Sequence, residues 1–330
     1  MRKSCGTSRG LWLFLVASFT SAALAAPVLA AEKFPTRPLR IVAPYGAGGS
    51  YDIIARIVAS KLSEQLGQQV IVDDRPGATG RIGMEIGVKA TPDGYTLIVI
   101  GSSQTIAPSV HVNVPYDLRT SIAPLMRFAN ITNTLIIHPS VPAQTVAEFV
   151  ALAKAKPDTI RFGSGGTGGI THLAGELFAT LTGTQLVHVP YKAGALAANA
   201  LLSAEVHMNI LNMLNSLPHV QSGRLRALAV TGSKRSQFLP QLPTLDEVGA
   251  KGYDVQEFHG LALPAGASSS IVMRLHGELA RAINSDDLKQ RLAQQAAEPM
   301  VSSPEEFAAF LVAEQAKFAK IVKAIGLKPE

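Results

Sequence analysis

The sequence predicts an α/β protein built from two similar units that face one another across a cleft. Three observations predict it. Strand-like apolar runs alternate with helical periodicity from Leu39 onward, the pattern of a parallel sheet with crossover helices. Two of the strands run into glycine-rich loops that open helices, at Pro44–Gly49 and at Gly163–Gly169. The two loops stand over a hundred residues apart, so each belongs to a unit of its own.

Residues 1–31 read as a cleaved signal peptide. Arg2, Lys3 and Arg9 make a basic start, Leu11–Ala26 is apolar, and Val28-Leu29-Ala30 offers small residues for cleavage near Ala30/Ala31. A retained membrane anchor is disfavoured by the Ala, Ser and Thr content, by Pro27 and by that tripeptide. The only cysteine, Cys5, leaves with the leader, so disulfides and thiol chemistry are not expected. No later stretch reaches the roughly 18 uninterrupted apolar residues of a membrane span, so a soluble protein is expected. The formal charge of +6 loses the three leader cations, and the remaining Lys and Arg are scattered among few aromatics. Nucleic acid is therefore not expected as a partner. A hydrophobic content of 47% suits one large or two medium domains.

The first unit opens with a strand, Leu39–Val42. Behind the first loop, Ile53, Ile54, Ile57, Val58, Leu62 and Leu66 recur at helical spacing until Gly67. The loop's glycines clear a path to main-chain N–H groups at the helix start. Those donors and the helix dipole together favour an anion. One such loop alone is more readily a simple chain reversal; the second one argues for a shared purpose. A strand at Gln69–Asp73, the loop Gly77–Gly80, a helix at Ile82–Ala90 and a strand at Tyr95–Ile100 follow, ending in Gly101-Ser102-Ser103. All three loops lie at carboxyl ends of strands, where α/β sheets bind their ligands. Residues 104–141 read as less regular, with one apolar run at Thr134–Ile137.

The second unit repeats the pattern. A helix at Val146–Lys154 precedes the strand Thr159–Phe162, the second glycine loop and a helix at Ile170–Leu181. Strand Leu186–Val189, a helix about Ala197–Leu202, the segment Val206–Leu211 and the strand Leu225–Val230 complete it. Gly163-x-Gly165-x-x-Gly168 satisfies a dinucleotide fingerprint, but the next strand ends in Val189-Pro190-Tyr191 with no acid for a ribose hydroxyl. No phosphate-loop, GxSxG or HExxH motif occurs, and the eight histidines have no metal-ligand spacing. After a strand within Tyr253–Leu263 the chain finishes in helices. The last is capped by Ser303 and Glu306, with Pro304 at its first position and a buried stripe from Phe307 to Ile325.

Pro44-Tyr45-Gly46-Ala47-Gly48-Gly49-Ser50-Tyr51-Asp52, Arg75–Gly80, His172–Phe178, Val189-Pro190-Tyr191-Lys192, Gly223–Thr231 and Pro264-Ala265-Gly266 together resemble the Bug proteins. These are the periplasmic solute-binding components of tripartite tricarboxylate transporters, and the resemblance runs in order over nearly the whole chain after the leader. It implies a two-lobed type II periplasmic binding protein fold, each lobe an α/β sandwich, with a small organic carboxylate in the interlobe cleft. It also implies a periplasmic location and hand-over to integral-membrane permease subunits. Residues 32–128 with 256–330 would form one lobe and 129–255 the other, hinged at crossovers near Phe128–Asn133 and Val255–His259. A monomer without cofactor, metal or catalysis is expected. The alternatives are a binding protein that serves a membrane sensor and a secreted α/β enzyme, the latter disfavoured by the missing motifs.

The candidate ligand contacts are Tyr45, Gly46, Ala47, Gly48, Gly49 and Asp52 in the first loop and helix start. Gly80, Ser102 and Ser103 join them from neighbouring strand ends, with Gly165, Gly166, Thr167 and Gly169 from the second loop, and Asn212. Asp52 is expected either to brace the loop's N–H groups or to meet a ligand hydroxyl, because a bare carboxylate repels an anion. His172 is expected to pair with Glu176 one helical turn on. Ser102 and Ser103 either close a turn or bind. Gly48, Gly49 and Gly166 are expected to act through backbone exposure, so that Gly48→Val removes binding and leaves the melting temperature unchanged. Gly169, Leu196, His207, Leu211 and His259 depart from the family pattern. With acids absent at 207 and 211, Asp52 is the only carboxylate the sequence places at the cleft, which disfavours an ammonium-bearing ligand.

Overall fold

The computed structural model describes residues 34–329; the expected signal peptide lies outside them. In the first half, β1 (Leu39–Ala43) leads into α1 (Ser50–Leu66), β2 (Val70–Asp74), α2 (Arg81–Val88), β3 (Thr96–Gly101) and α3 (Ser102–Val110). A long strand, β4 (Ile122–Ile137), then crosses into the second half. There follow α4 (Val146–Ala155), β5 (Arg161–Ser164), α5 (Ile170–Thr182), β6 (Val187–Pro190) and α6 (Gly194–Leu202). The half closes with β7 (Met208–Asn212), α7 (Met213–Gln221) and β8 (Arg226–Val230). β9 (Gln256–Pro264) returns to the first half, followed by α8 (Ser269–Asn284), α9 (Asp286–Gln294), β10 (Glu298–Pro299) and α10 (Pro304–Ala324).

The strands form one mixed sheet in the order β2-β1-β3-β9-β4-β7-β5-β6, with β8 and β10 also paired to β4. β1 lies parallel between β2 and β3, and β5 parallel between β6 and β7, as the alternation predicts. The two crossing strands are the departure from an all-parallel sheet. β9 runs antiparallel to β3 and β4, and β4 runs antiparallel to β7 and β8. β4 changes partners partway along its length. Up to Thr132 it pairs β9, opposite Gln256, and from Asn133 it pairs β7, opposite Asn212.

The change of partner is pinned by Asn133, which is fully buried. Its main chain exchanges bonds with Thr231, accepting from the Thr231 N–H at 3.0 Å and donating to Thr231 Oγ1 at 3.1 Å. Its side-chain amide donates to the Val255 carbonyl at 3.3 Å. Asn133 thus ties the middle of β4 to Thr231 and to Val255, just ahead of β9.

Three elements were not legible as regular structure. α3 carries Pro108 within it and opens on Ser102 and Ser103, so it reads as a loop. β4 is interrupted by Pro124, Asn130 and three register shifts, which hides its 16-residue length. α7 contains Pro218 and polar residues on its outer face, and only the Asn212 side chain marks its start, accepting from the Asn215 N–H.

Each half buries its own apolar layers against the sheet. In the first, Leu39, Ile41, Ile54, Val58, Leu261 and Leu279 fill one face, and Ile98, Ile100, Phe258 and Phe307 the other. In the second, Leu135, Phe149, Phe162, Phe178 and Ile210 pack one face, and Ile136, Ala197, Leu201 and Leu211 the other. α10 serves both halves. Ser303 and Glu306 form its capping box as predicted, Phe307 and Leu311 enter the first half's core, and Phe318, Ile321 and Val322 enter the second's. Among the described residues, no helix is long and apolar enough to cross a membrane.

Phe318 is wholly buried. Phe318→Ala is expected to cost about 3–5 kcal/mol of folding stability, read from the denaturant midpoint, because it leaves a cavity under the helix that spans both halves.

Candidate functional site

The first glycine loop ends at Gly49, the N-cap of α1. Gly48 donates its N–H to Asp52 Oδ2 at 2.8 Å, and the other Asp52 oxygen pairs with Arg56. Asp52 therefore braces the loop, one of its two expected roles. Among the described residues, nothing accepts from the N–H groups of Ser50, Tyr51 and Asp52, the first three of the helix. They remain available to an outside acceptor.

The second loop copies this arrangement with different chemistry. Gly169 is the N-cap of α5, and Gly168 donates its N–H to His172 Nδ1 at 3.1 Å. His172 occupies the place of Asp52, three residues after the N-cap. Gly165 donates to Thr171 Oγ1 at 2.9 Å and Gly166 to Ser164 Oγ at 3.2 Å. The N–H groups of Ile170, Thr171 and His172 have no acceptor among the described residues. Because His172 Nδ1 accepts, its proton sits on Nε2, which faces Glu176 at 3.6 Å as the helical spacing predicts. His172 stacks on His188 at 3.9 Å between ring centres, and His188 Nε2 meets Ser164 Oγ at 2.6 Å. Burial, and secondly the neighbouring His172, hold the His188 imidazole down to about 4.

The other sequence candidates fall into supporting places. Tyr45 stacks on Tyr51 at 4.6 Å and donates to the Thr79 carbonyl at 3.3 Å. Burial pushes the Tyr45 phenol up to about 12, so it stays a donor. Gly80 lies under that ring; a Cβ there would stand 3.0 Å from it, at a φ of +87°. Ser102 is fully buried, donating to the Gln256 carbonyl and accepting from the Phe258 N–H, both at 3.2 Å. Its hydroxyl fastens α3 to β9. Ser103 meets the Tyr51 hydroxyl at 3.4 Å. Gly46, Ala47 and Thr167 are exposed at the loop rims.

Asn212 caps α7 through Oδ1, and its amide donates to Glu257 Oε2 at 2.7 Å. Glu257 also accepts from Ser50 Oγ at 2.6 Å and is only 4% exposed. Here the sequence reading needs correction: Asp52 is not the only carboxylate at the cleft. Glu257 escaped because it stands in an apolar strand with no motif around it. Its one signal was an acid amid the buried run Val255–Leu263. His259, beside it on the same face of β9, lies 3.8 Å from Glu257 and 5.0 Å from the Tyr51 ring. It is fully buried, and burial lowers its affinity for a proton.

The two loops are connected through residues of both halves. Ser50, Glu257 and Asn212 form one chain of hydrogen bonds between the halves. Asn215, bonded to Asn212, lies 3.7 Å from where a Cβ on Gly194 would stand, and a Cβ on Gly165 would stand 3.0 Å from the Gly194 nitrogen. On the other side, a Cβ on Gly168 would lie 3.3 Å from Val110 of α3. A separate concavity of about 460 Å³, lined by Leu177, Leu181, Ala316 and Ile321, sits between α5 and α10 and takes no part in this cluster. Among the described residues, no group of His, Cys, Asp and Glu could hold a metal ion.

Two α/β halves, each opening a helix on N–H groups without an acceptor among the described residues, suit the binding of a solute. The chain belongs to the tripartite tricarboxylate transporter family receptors, whose description matches residues 54–327. It is 32% identical to the protein BugT of Bordetella pertussis over 310 residues, spanning 93% of this chain and 95% of that one. Among solved structures it resembles R. palustris Rpa4515 with adipate, at 34% identity and a TM-score of 0.84, covering 90% of this chain and all of that one. The periplasmic binding protein BugD is similar at 31% identity and a TM-score of 0.81, again covering 90% of this chain and all of that one.

The glycine expectation changes with the geometry. A Cβ on Gly48 meets nothing within 4 Å, but its φ is +81°, where a β-branched residue is strained by about 1–2 kcal/mol. Gly48→Val is therefore expected to lower the melting temperature by about 2–6 °C. Gly46 has the same open space and no left-handed φ. Gly46→Val is expected to leave calorimetric melting unchanged while obstructing the loop.

The imidazole of His188 sets a pH dependence. It titrates near 6.5 when free and near 4 in the fold, so the unfolded chain binds more protons between those values. Stability contributed by neutral His188 is present at pH 7 and lost as the pH falls from about 6.5 toward 4. Between pH 7 and 4.5 the native protein is expected to lose about 2–4 °C more in melting temperature than His188→Gln.

Proposed function

We propose that this chain is a periplasmic solute-binding protein that captures a small organic carboxylate between its two glycine loops. The observation that carries the reading is the duplicated helix start. Ser50–Asp52 and Ile170–His172 each offer three main-chain N–H groups without acceptors among the described residues, one set on each half. Each start suits one carboxylate group without a counter-cation. The adipate carried by a relative of 34% identity supports a ligand of this class. Gly46, Ala47, Gly49, Gly166, Thr167 and Gly169 border the starts, while Tyr45, Asp52, Gly80, Ser102, Ser103 and Asn212 hold their shape.

Residues 32–128 with 256–330 act as one lobe and 129–255 as the other, with α10 packed on both. The hinge is the Asn133–Thr231–Val255 junction. A ligand that touches both helix starts favours the closed arrangement, because only closure completes its site. The loaded protein then delivers its solute to integral-membrane permease subunits, and it acts as a monomer without turnover of the ligand.

A non-amino acid ligand remains the preferred class. Glu257 is a carboxylate, yet each of its oxygens already accepts a bond from within the protein. An ammonium left without a full partner costs about 1–3 kcal/mol, roughly tenfold or more in affinity. Titration calorimetry with adipate, 2-aminoadipate and glutamate is expected to rank adipate first by at least about tenfold. Tighter binding of either amino acid would overturn the class, and conversion of any bound acid would overturn the absence of turnover.

A further inference from the structure

We propose that Glu257 is a latch between the halves, a positioning residue that sets the spacing of the two anion-binding helix starts. It stands at the second position of β9, directly after the return crossover. Its two oxygens reach different halves. Oε1 accepts from Ser50, the first residue of α1, and Oε2 from Asn212, which ends β7 and caps α7. Both partners are held firmly. Ser50 sits at the helix start that the Gly48–Asp52 bond braces, and Asn212 Oδ1 accepts from the N–H and the side-chain amide of Asn215. A change in the Glu257 side chain therefore moves a helix start rather than a free rotamer.

A purely packing role does not account for this residue. A buried carboxylate is costly unless it is paired, and an apolar side chain of the same size fills such space more cheaply. No Lys or Arg pairs with Glu257 among the described residues. Its titratable neighbours are the buried phenols of Tyr45 and Tyr51 and, 3.8 Å away, His259, which is fully buried and disposed to be neutral, with both ring nitrogens lacking a hydrogen-bond partner among the described residues. The charge is met by two donors and by the positive starts of α1 and α7. Those donors come one from each half, so the cost of burying the carboxylate is offset only while the halves stay together. A latch of this kind holds the ligand-free protein nearer its closed form and lowers the rearrangement left for the ligand to drive.

The inference rests on the two-lobed reading but not on the identity of the solute, because its first test uses ligand-free protein. Small-angle scattering of Glu257→Ala is expected to show a larger radius of gyration than the native chain. Glu257→Gln can accept from Asn212 and donate to Ser50 Oγ, so it should restore the native profile. Ser50→Ala, which cuts one arm, should expand the protein less than Glu257→Ala, and the double variant no more than Glu257→Ala alone. Adipate affinity measured by calorimetry should fall at least tenfold in Glu257→Ala, about 1.4 kcal/mol, and less in Glu257→Gln. Circular dichroism confirms that each variant is folded; should Glu257→Ala fail to fold, Ser50→Ala against Asn212→Ala carries the comparison. Native scattering from folded Glu257→Ala, or from both single-arm variants, overturns the latch. A native chain that ignores adipate while Glu257→Ala still expands refutes the ligand class and leaves the latch standing.

Discussion

The pairing of β4 with β9 is the constraint on which the rest of the molecule depends. These antiparallel strands carry the chain out of the first half and back again, matched from Ile122 opposite Pro264 to Thr132 opposite Gln256. Because β4 continues into the second half's sheet, every element of that half is referenced to the same ladder. Main-chain hydrogen bonds make this link stiff along the strands and leave it able to twist. A pair of α/β units joined in this way keeps the strand ends of both halves referenced to one ladder.

The two loops show how one backbone device tolerates different side chains. In both, the residue three places after the N-cap turns back to accept from the N–H just before the N-cap, using a carboxylate in Asp52 and an imidazole in His172. Either group fixes the loop and leaves the next three N–H groups without an acceptor among the described residues. The difference lies in the partners. Asp52 is matched by Arg56, whereas His172 rests on the His188 ring and faces Glu176.

Much of the fold was legible in the sequence because its signals are local. Glycines after apolar strands, the helical spacing from Ile53 to Leu66 and the Ser303–Glu306 box each act within a few residues. α3, β4 and α7 were not, because Pro108, Pro124 and Pro218 read as breaks when tertiary packing in fact accommodates them. At the site, the glycines and Asp52 announced themselves through motif and position. Ser102 was read at a strand end and Asn212 beside an unassigned segment, and only their neighbours in space reveal that their polar groups bond within the protein.

The sequence by itself determined two α/β units, the two open helix starts and the bracing role available to Asp52, since all of these follow from backbone conformation and side chains close in the chain. Only the tertiary structure decided that Glu257 joins Ser50 to Asn212, because those partners lie 207 and 45 residues away from it. No periodicity records such a meeting. A buried carboxylate acquires its meaning from the donors that burial brings to it, and those donors are chosen by the crossing of β4 and β9.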